Sequence, residues 1–339
     1  MELDLSIDFV QHYPKYLQVV DAIIRCIGEG QLQRGDQLPS INELSEAYLL
    51  SRDTVEKAYR ELRRKNIITS VKGKGNFINR VDVHAPLRVL LIFNKISNYK
   101  KQIYNSFVYT LGYPATVDLH IHHCNMQIFE TLISNSIGHY DYYVIMPHFY
   151  EQPEKVAEII NRIPRDQLLL LDKDITGLGG EYASVFQDFE KDIYEALHDA
   201  FPVLKKYEKL IYVNPGLVPY PGEIMKGFRY FCRMNDFEYS IIEGVDAETE
   251  VCKGEAFVVI EETDLVTLIK NCRNKNLSIG KDVGIISYNE TPLKEILLEG
   301  ITVISTDHEQ MGKTAANLIL EKRKERIKNP FQLILRKSL

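Results

Sequence analysis

Residues 39–77 constrain the fold of this 339-residue chain more than any other segment does. Ser40 and Glu43 have the spacing of a capping box, in which each residue satisfies a free N–H group of a helix's first turn. Ser51 is the N-cap candidate of a second helix, whose apolar residues recur at helical spacing. A hairpin pattern with the tip Lys72-Gly73-Lys74-Gly75 follows. The segment therefore predicts a helix, a turn, a second helix and a basic two-stranded wing.

Charge is distributed unevenly along the chain. Residues 52–80 contain nine Lys/Arg and three Asp/Glu, a net charge of +6, although the whole chain has a net charge of −6. A basic helix or a basic turn by itself is usually a solvated surface, but both together in this order favour binding to DNA. The second helix of a helix-turn-helix enters the major groove by its N-terminal end, and a guanidinium there can bond guanine O6 and N7 together. The predicted DNA contacts are Arg52, the first candidate for a base contact, and Ser40, Asp53, Thr54, Lys57, Lys72, Gly73 and Lys74.

Residues 8–80 resemble the GntR family of winged-helix transcription regulators. The resemblance is carried by the runs Gly35-Asp36-Gln37-Leu38-Pro39-Ser40, Ser51-Arg52-Asp53-Thr54-Val55 and Gly73-Lys74-Gly75-Asn76-Phe77. It implies that the residues at Arg52 and Thr54 contact operator DNA and that the glycine at Gly73 approaches the minor groove.

Length and composition predict two domains. A chain that is 45% hydrophobic can bury a sizeable core. We assign residues 1–80 to the winged helix-turn-helix domain, 81–87 to a linker and 88–339 to a second domain. The five cysteines are widely separated, which indicates reduced thiols rather than disulfides. No apolar run approaches the ~18 residues of a membrane span and the N-terminus does not resemble a signal peptide, so we expect a cytoplasmic protein without membrane contact.

Strand and helix patterns alternate after the linker, which predicts parallel sheets with helices on both faces and, over this length, two lobes. The fold class is therefore α/β, with an N-terminal winged helix-turn-helix and a doubly wound, two-lobed domain. The predicted strands are 88–93, 116–122, 142–146, 168–171, 210–213, 239–242, 256–260, 283–287 and 301–304, and the predicted helices include 154–162, 190–206, 221–235, 264–275 and 308–324.

Polar and aromatic residues follow nearly every predicted strand. Ligands of open α/β sheets bind beyond the carboxyl ends of the strands, so these residues predict a polar, neutral ligand such as a sugar. Two of them, Asp172 and Asp188, could instead cap the helices that follow. The predicted effector contacts are Lys95, Tyr99, His148, Asp172, Asp188, Glu223, Glu262 and Asn289.

The second domain resembles the effector domain of lac-repressor-type regulators, which is periplasmic-binding-protein-like. The resemblance spans about residues 88–330 and is carried by runs that include Ile96-Ser97-Asn98, Lys226-Gly227-Phe228-Arg229 and Ser287-Tyr288-Asn289-Glu290. It implies that the residue at Asn289 bonds ligand hydroxyls. Ile224 stands where the family commonly has a ligand-binding arginine, which argues against an anionic ligand and suits a deoxyhexose such as fucose.

Other classes of protein are less compatible with the sequence. It has no Gly-x-Ser-x-Gly elbow, Walker lysine loop or His-Glu-x-x-His motif, so we predict that it is not an enzyme and has no cofactor. The segment His120-Ile121-His122-His123-Cys124 could bind a metal, but its side chains point to different faces of a strand and we predict no metal site. Regulators with an aminotransferase-like domain have a much longer C-terminal domain.

We therefore predict a transcriptional regulator, most simply a repressor, that binds a double-stranded operator as a homodimer and responds to a small-molecule effector, a monosaccharide. The alternative is a sugar-binding or sugar-modifying protein whose N-terminal domain is an accessory interaction module. Helix 311–324 has a small apolar face, Ala315, Ala316 and Ile319, that could serve either dimer contact or core packing.

Overall fold

The computed structural model describes residues 14–82, 87–112, 115–149, 153–175, 177–215 and 220–339. The predicted linker falls largely on residues 83–86, and the start of the first domain on residues 1–13, which lie outside the described residues. The chain divides into two compact units with a boundary after Arg88, apart from a short piece around Thr116 that groups with the first unit. None of the described helices is long and apolar enough to cross a membrane.

The N-terminal unit has the predicted order of elements, preceded by one additional helix. It comprises α1 (Lys15–Gly28), α2 (Ile41–Ala47), α3 (Arg52–Arg64), β1 (Ile68–Val71) and β2 (Gly75–Ile78). The helices pack around one core in which Ile23, Val55 and Leu62 are fully buried. The strands β1 and β2 pair antiparallel, and Gln37 forms an isolated bridge with Phe77 of β2.

Both predicted helix caps are present. The Ser40 hydroxyl accepts a hydrogen bond from the Glu43 N–H, and the Glu43 carboxylate accepts one from the Ser40 N–H at 2.7 Å. The hydroxyl of Ser51 accepts from the N–H of Thr54 and so begins α3. These caps set where both helices start, and therefore which residues the first turn of α3 presents to solvent.

The second unit contains two lobes, each built on a six-stranded sheet. The elements of the first lobe are β3 (Arg88–Phe93), α4 (Asn98–Leu111), β4 (Thr116–Ile121), α5 (Met126–Ser136), β5 (Tyr142–Ile145), α6 (Pro153–Ile160), β6 (Leu168–Asp172) and β7 (Ala183–Phe186). Those that follow are α7 (Phe189–Leu204), β8 (Lys209–Asn214), α8 (Gly222–Met234), β9 (Glu238–Glu243), β10 (Glu255–Val259), α9 (Glu262–Asn274), β11 (Gly284–Tyr288), α10 (Pro292–Ile296), β12 (Thr302–Thr306), α11 (His308–Leu320), β13 (Arg326–Lys328) and β14 (Phe331–Ile334).

The two sheets share one topology. The first has the strand order β4-β3-β5-β6-β7-β13 and the second has β9-β8-β10-β11-β12-β14. This confirms the predicted two-lobed α/β fold, and all nine predicted strands are present. Three short strands, β7, β13 and β14, were not predicted. The strand β14 also departs from the all-parallel expectation, because it pairs antiparallel with β12 at the sheet edge.

Within the described residues, the chain passes between the lobes three times: before α7, before α11 and between β13 and β14. Helix α11 returns to the first lobe and packs on α4 so closely that a Cβ atom at Gly312 would lie 2.4 Å from the Ile103 carbonyl oxygen. Ala315 and Ala316 are fully buried there. Core packing therefore accounts for the small apolar face of this helix, which ends at Leu320 and not at the predicted residue 324.

Candidate functional site

The N-terminal end of α3 presents exposed polar side chains. Arg52 and Asp53 are exposed, whereas Thr54 is half-buried with its hydroxyl 2.8 Å from that of Ser51. Lys57 is exposed, and its ammonium lies 4.0 Å from the centre of the Tyr16 ring. An ammonium over an aromatic face is held in place by attraction to the ring, so Lys57 is partly engaged inside the domain.

The wing is positioned by two contacts that were not predicted from the sequence. The side-chain amide of Gln37 donates to the Lys74 carbonyl oxygen at 2.8 Å, and the Arg63 guanidinium donates to the Asn76 side-chain oxygen at 3.1 Å. The tip residues Lys72, Gly73 and Lys74 are exposed, and Gly73 has φ +76°, where glycine avoids a steric penalty. The predicted tip therefore presents two exposed lysines on a wing tied to α3. The remaining predicted contact, Ser40, is exposed but serves as the cap of α2.

A cavity lies between the two lobes of the second unit. The cavity is partly open to solvent. The first lobe and the crossing segments before α7 and at the start of α11 contribute mainly polar groups, and the second lobe contributes mainly aromatic and apolar groups. The lining residues are Asn94, Lys95, Tyr99, Lys100, His148, Asp172, Gln187, Phe189, Tyr220, Pro221, Ile224, Tyr288, Asn289 and His308.

Five of the eight predicted effector contacts line this cavity: Lys95, Tyr99, His148, Asp172 and Asn289. The other three do not. Asp188 caps α7 by accepting from the Lys191 N–H, Glu223 pairs with Lys173 at 3.6 Å, and Glu262 is exposed on the first turn of α9. The alternative role of Asp188 as a helix cap is therefore the one its geometry supports.

Asp172 is the centre of a buried polar network. It has φ +73° at the end of β6, and its carboxylate accepts hydrogen bonds from His148 Nε2 at 2.9 Å and from the Gln187 amide. Burial opposes ionisation of this carboxyl, but the hydrogen bond from His148 and the nearby Lys100 lower its pKa below the usual range. Asp172 is therefore an ionised acceptor on the cavity wall.

Lys100 is a lining residue that was not predicted from the sequence. It is buried on α4 and its ammonium donates to the Asn94 side-chain oxygen. Burial lowers its pKa to about 8, against the opposing effect of Asp172, so the side chain is still mostly charged at pH 7. Residues 98–101 contain two adjacent lysines, and the helical phase of α4 is the only signal in the sequence that separates the buried one from its exposed neighbour Lys101.

Lys95 of the first lobe bonds to two residues of the second lobe. Its ammonium donates to the Tyr220 hydroxyl at 3.0 Å and to the Glu261 carboxylate at 3.4 Å, and the Tyr220 hydroxyl donates to the same carboxylate at 2.8 Å. The predicted contact at this strand end, Glu262, is one residue too far along the chain. Glu261 is the residue whose side chain reaches Lys95 and Tyr220.

Two lining polar groups have no hydrogen-bond partner within the described residues. These are the Tyr288 hydroxyl and the Gln187 side-chain oxygen, both buried. A buried polar group without a partner is unfavourable, so both are suited to meet polar groups of a bound molecule. No group of three or more potential metal ligands occurs in the described parts of the chain, and His122 instead bonds the Met146 carbonyl oxygen.

Acid should destabilise the second unit through two buried histidines. Burial lowers the pKa of His122 and of His308 to about 4 from an ordinary value of 6.5. Between these values the unfolded chain binds more protons than the folded one, so stability is full above pH 6.5 and decreases as the pH falls toward 4. We expect a loss of about 2 to 3 kcal/mol per histidine by pH 4.5. Urea unfolding at pH 7 and pH 4.5 measures this, and His308→Gln should reduce the difference; an equal pH dependence in the variant would contradict the assignment.

The fold and these two sites define a class of protein, a DNA-binding regulator with a two-lobed ligand-binding domain. Residues 15–78 match the model of the bacterial regulatory proteins of the gntR family, and residues 205–339 match that of the periplasmic binding protein-like domain. The HTH-type transcriptional repressor YtrA of Bacillus subtilis is 30% identical over 99 residues, which are 29% of this chain and 72% of YtrA. The chain belongs to the GntR family.

Two further comparisons cover different shares of the chain. The mannosyl-D-glycerate transport/metabolism system repressor MngR of Escherichia coli is 33% identical over 84 residues, 25% of this chain and only 35% of MngR. The trehalose repressor of Escherichia coli has the same fold over 73% of this chain and 99% of its own, with a TM-score of 0.59 and 14% identity. All three of these proteins are named as repressors.

Proposed function

We propose that this protein is a transcriptional repressor that binds a double-stranded operator through its N-terminal unit and is controlled by a neutral monosaccharide in the cavity between its lobes. The observation that carries the effector proposal is the cavity wall, where an ionised aspartate and a lysine lie beside polar groups that lack partners among the described residues. Two of the similar proteins, MngR and the trehalose repressor, are named for saccharides, although MngR is similar over only 84 residues, 25% of this chain.

The charges around the cavity favour a neutral ligand. Lys95 and Lys100 contribute two positive charges, and Asp172 and Glu261 contribute two negative charges. Burial lowers the pKa of His308 to about 4 and lowers that of His148 against the opposing effect of Asp172, which favours the neutral imidazole in both. A phosphate or carboxylate would add an uncompensated charge in a buried site, which is unfavourable.

The distribution of polar and apolar groups favours a sugar with an apolar part. Ile224 is fully buried and lines the second-lobe wall together with Pro221 and Tyr220, opposite the polar first-lobe wall. Hydroxyl groups on one side of a sugar would meet Asp172 and its neighbours, and an aromatic side chain would cover an apolar face. A 6-deoxyhexose such as fucose would place its methyl group against Ile224.

Effector control requires that the sugar bind the open and closed lobes unequally, because a ligand with equal affinity for both states shifts neither. We propose that the repressor acts as a homodimer, since one winged helix covers a half-site and two linked half-sites gain affinity through effective concentration. Closure of the lobes would then change how the two DNA-binding units are spaced.

A thermal-shift panel tests the effector proposal. We expect L-fucose or L-rhamnose at about 100 times its Kd to stabilise the protein by about 2.7 kcal/mol, which raises Tm by roughly 5 °C or more. The matched controls are the parent hexoses and their 6-phosphates. A response to phosphates alone would contradict the charge argument, and no response to any sugar would overturn the saccharide proposal while leaving the DNA-binding role standing.

A further inference from the structure

The turn between α2 and α3 contains a leucine in an unfavourable backbone conformation. Leu49 has φ +51°, a region that residues with a Cβ atom rarely adopt, and its side chain is 84% exposed. Glycine or asparagine adopts this conformation at much lower cost and would leave no apolar surface in water. The folded domain alone therefore gives no reason for leucine at this position.

A leucine with a positive φ elsewhere in the chain has a structural reason for its conformation. Leu298 also has a positive φ, +54°, but its side chain packs against the apolar core of the second lobe. Leu49 is not part of the N-terminal core, whereas the next residue, Leu50, is buried in it. Strained backbone conformations persist where function requires them. At Leu49 the strained backbone holds an apolar side chain exposed to solvent.

The position of Leu49 is well defined. The Leu50 N–H donates to the Ser45 carbonyl oxygen at 3.0 Å, and the Ser45 hydroxyl donates to the Leu50 carbonyl oxygen at 2.5 Å, so the turn is tied to α2. Leu49 lies two residues before Ser51, the N-cap of α3, and three before the exposed Arg52. Leu49 therefore lies beside the end of α3 that enters the major groove in a helix-turn-helix.

We propose that Leu49 is a further base-contacting residue and that its side chain packs on the 5-methyl group of a thymine in each half-site. The thymine methyl is the apolar group that the major groove exposes, and apolar side chains are its usual partners. Arg52 and the wing lysines supply charge to the same surface, and Leu49 adds discrimination at a base pair that they do not read. This inference rests on the proposed binding of operator DNA.

The test uses duplexes that the full-length wild-type protein selects from a randomised pool. Each thymine of a selected duplex is replaced in turn by deoxyuridine, which lacks only the 5-methyl group. We expect one replacement per half-site to weaken wild-type binding about fourfold, the value of one buried methyl-sized group. Leu49→Gly should bind the unmodified duplex about tenfold more weakly and should be insensitive to that same replacement.

Controls separate this contact from a structural role. Leu49→Gly removes the backbone strain, so its Tm should not fall below that of the wild type, and Leu49→Met should restore both affinity and sensitivity to the methyl group. The proposed contact is overturned if Leu49→Gly binds the unmodified duplex as tightly as the wild type does. It is also overturned if every deoxyuridine replacement that weakens wild-type binding weakens binding of Leu49→Gly as well. Failure of the wild type to select any duplex would overturn the DNA-binding role itself and this inference with it.

Discussion

Replacing Arg52 by glutamate should lower the affinity for selected operator duplexes at least about a hundredfold. Arg52 is exposed on the first turn of α3, so the change leaves the core of the domain intact. The variant loses a guanidinium that can bond guanine at two atoms, about 1–3 kcal/mol, and gains a negative charge close to phosphate. Fluorescence anisotropy with a selected duplex measures the loss.

A charge reversal elsewhere provides the matched control. Arg229 is exposed on α8 in the second unit, and Arg229→Glu makes the same change in net charge. It should bind DNA like the wild type, and both variants should keep the same sugar-induced rise in Tm. Equal loss of DNA binding in the two variants would mean that net charge, and not the position of Arg52, determines affinity.

Asp172→Asn should have the largest effect on the cavity. The substitution keeps the shape of the side chain. It removes the negative charge that balances Lys100 and that strengthens the hydrogen bond from His148. We expect a loss of about 3 kcal/mol in the free energy of unfolding, because Lys100 is left as an uncompensated buried charge. The Kd for the sugar that stabilises the wild type should rise about a hundredfold through loss of charge-assisted hydrogen bonds. Urea unfolding and calorimetry measure the two effects.

Two further variants separate binding from folding. The double variant Asp172→Asn with Lys100→Met removes both charges, so it should recover stability but not sugar affinity. Asp188→Asn is the matched control, since asparagine caps a helix as well as aspartate does and Asp188 lies outside the cavity lining. If the double variant regains sugar binding, Asp172 contributes through stability alone.

Local patterns determined most of the architecture. Ser40 with Glu43 and Ser51 place the starts of α2 and α3, because capping depends on residues three positions apart. Buried parallel strands are continuous apolar runs, so β3 and β6 could be predicted nearly to the residue. The strand β13 has the sequence Arg-Ile-Lys and no such pattern, and only its pairing with β7 makes it a strand.

The sequence by itself determined which strand ends carry polar side chains, and so it identified Lys95, Asp172 and Asn289 as facing one site. Tertiary structure decided which other residues lie beside them. Lys100 lines the cavity because of the phase of α4 on its sheet, Glu261 and not Glu262 turns toward Lys95, and His308 enters where α11 crosses back to the first lobe. Several of these contacts join residues that are more than a hundred positions apart in the sequence. A local sequence pattern does not predict them, because they form only when the two sheets pack around the segments that cross between the lobes.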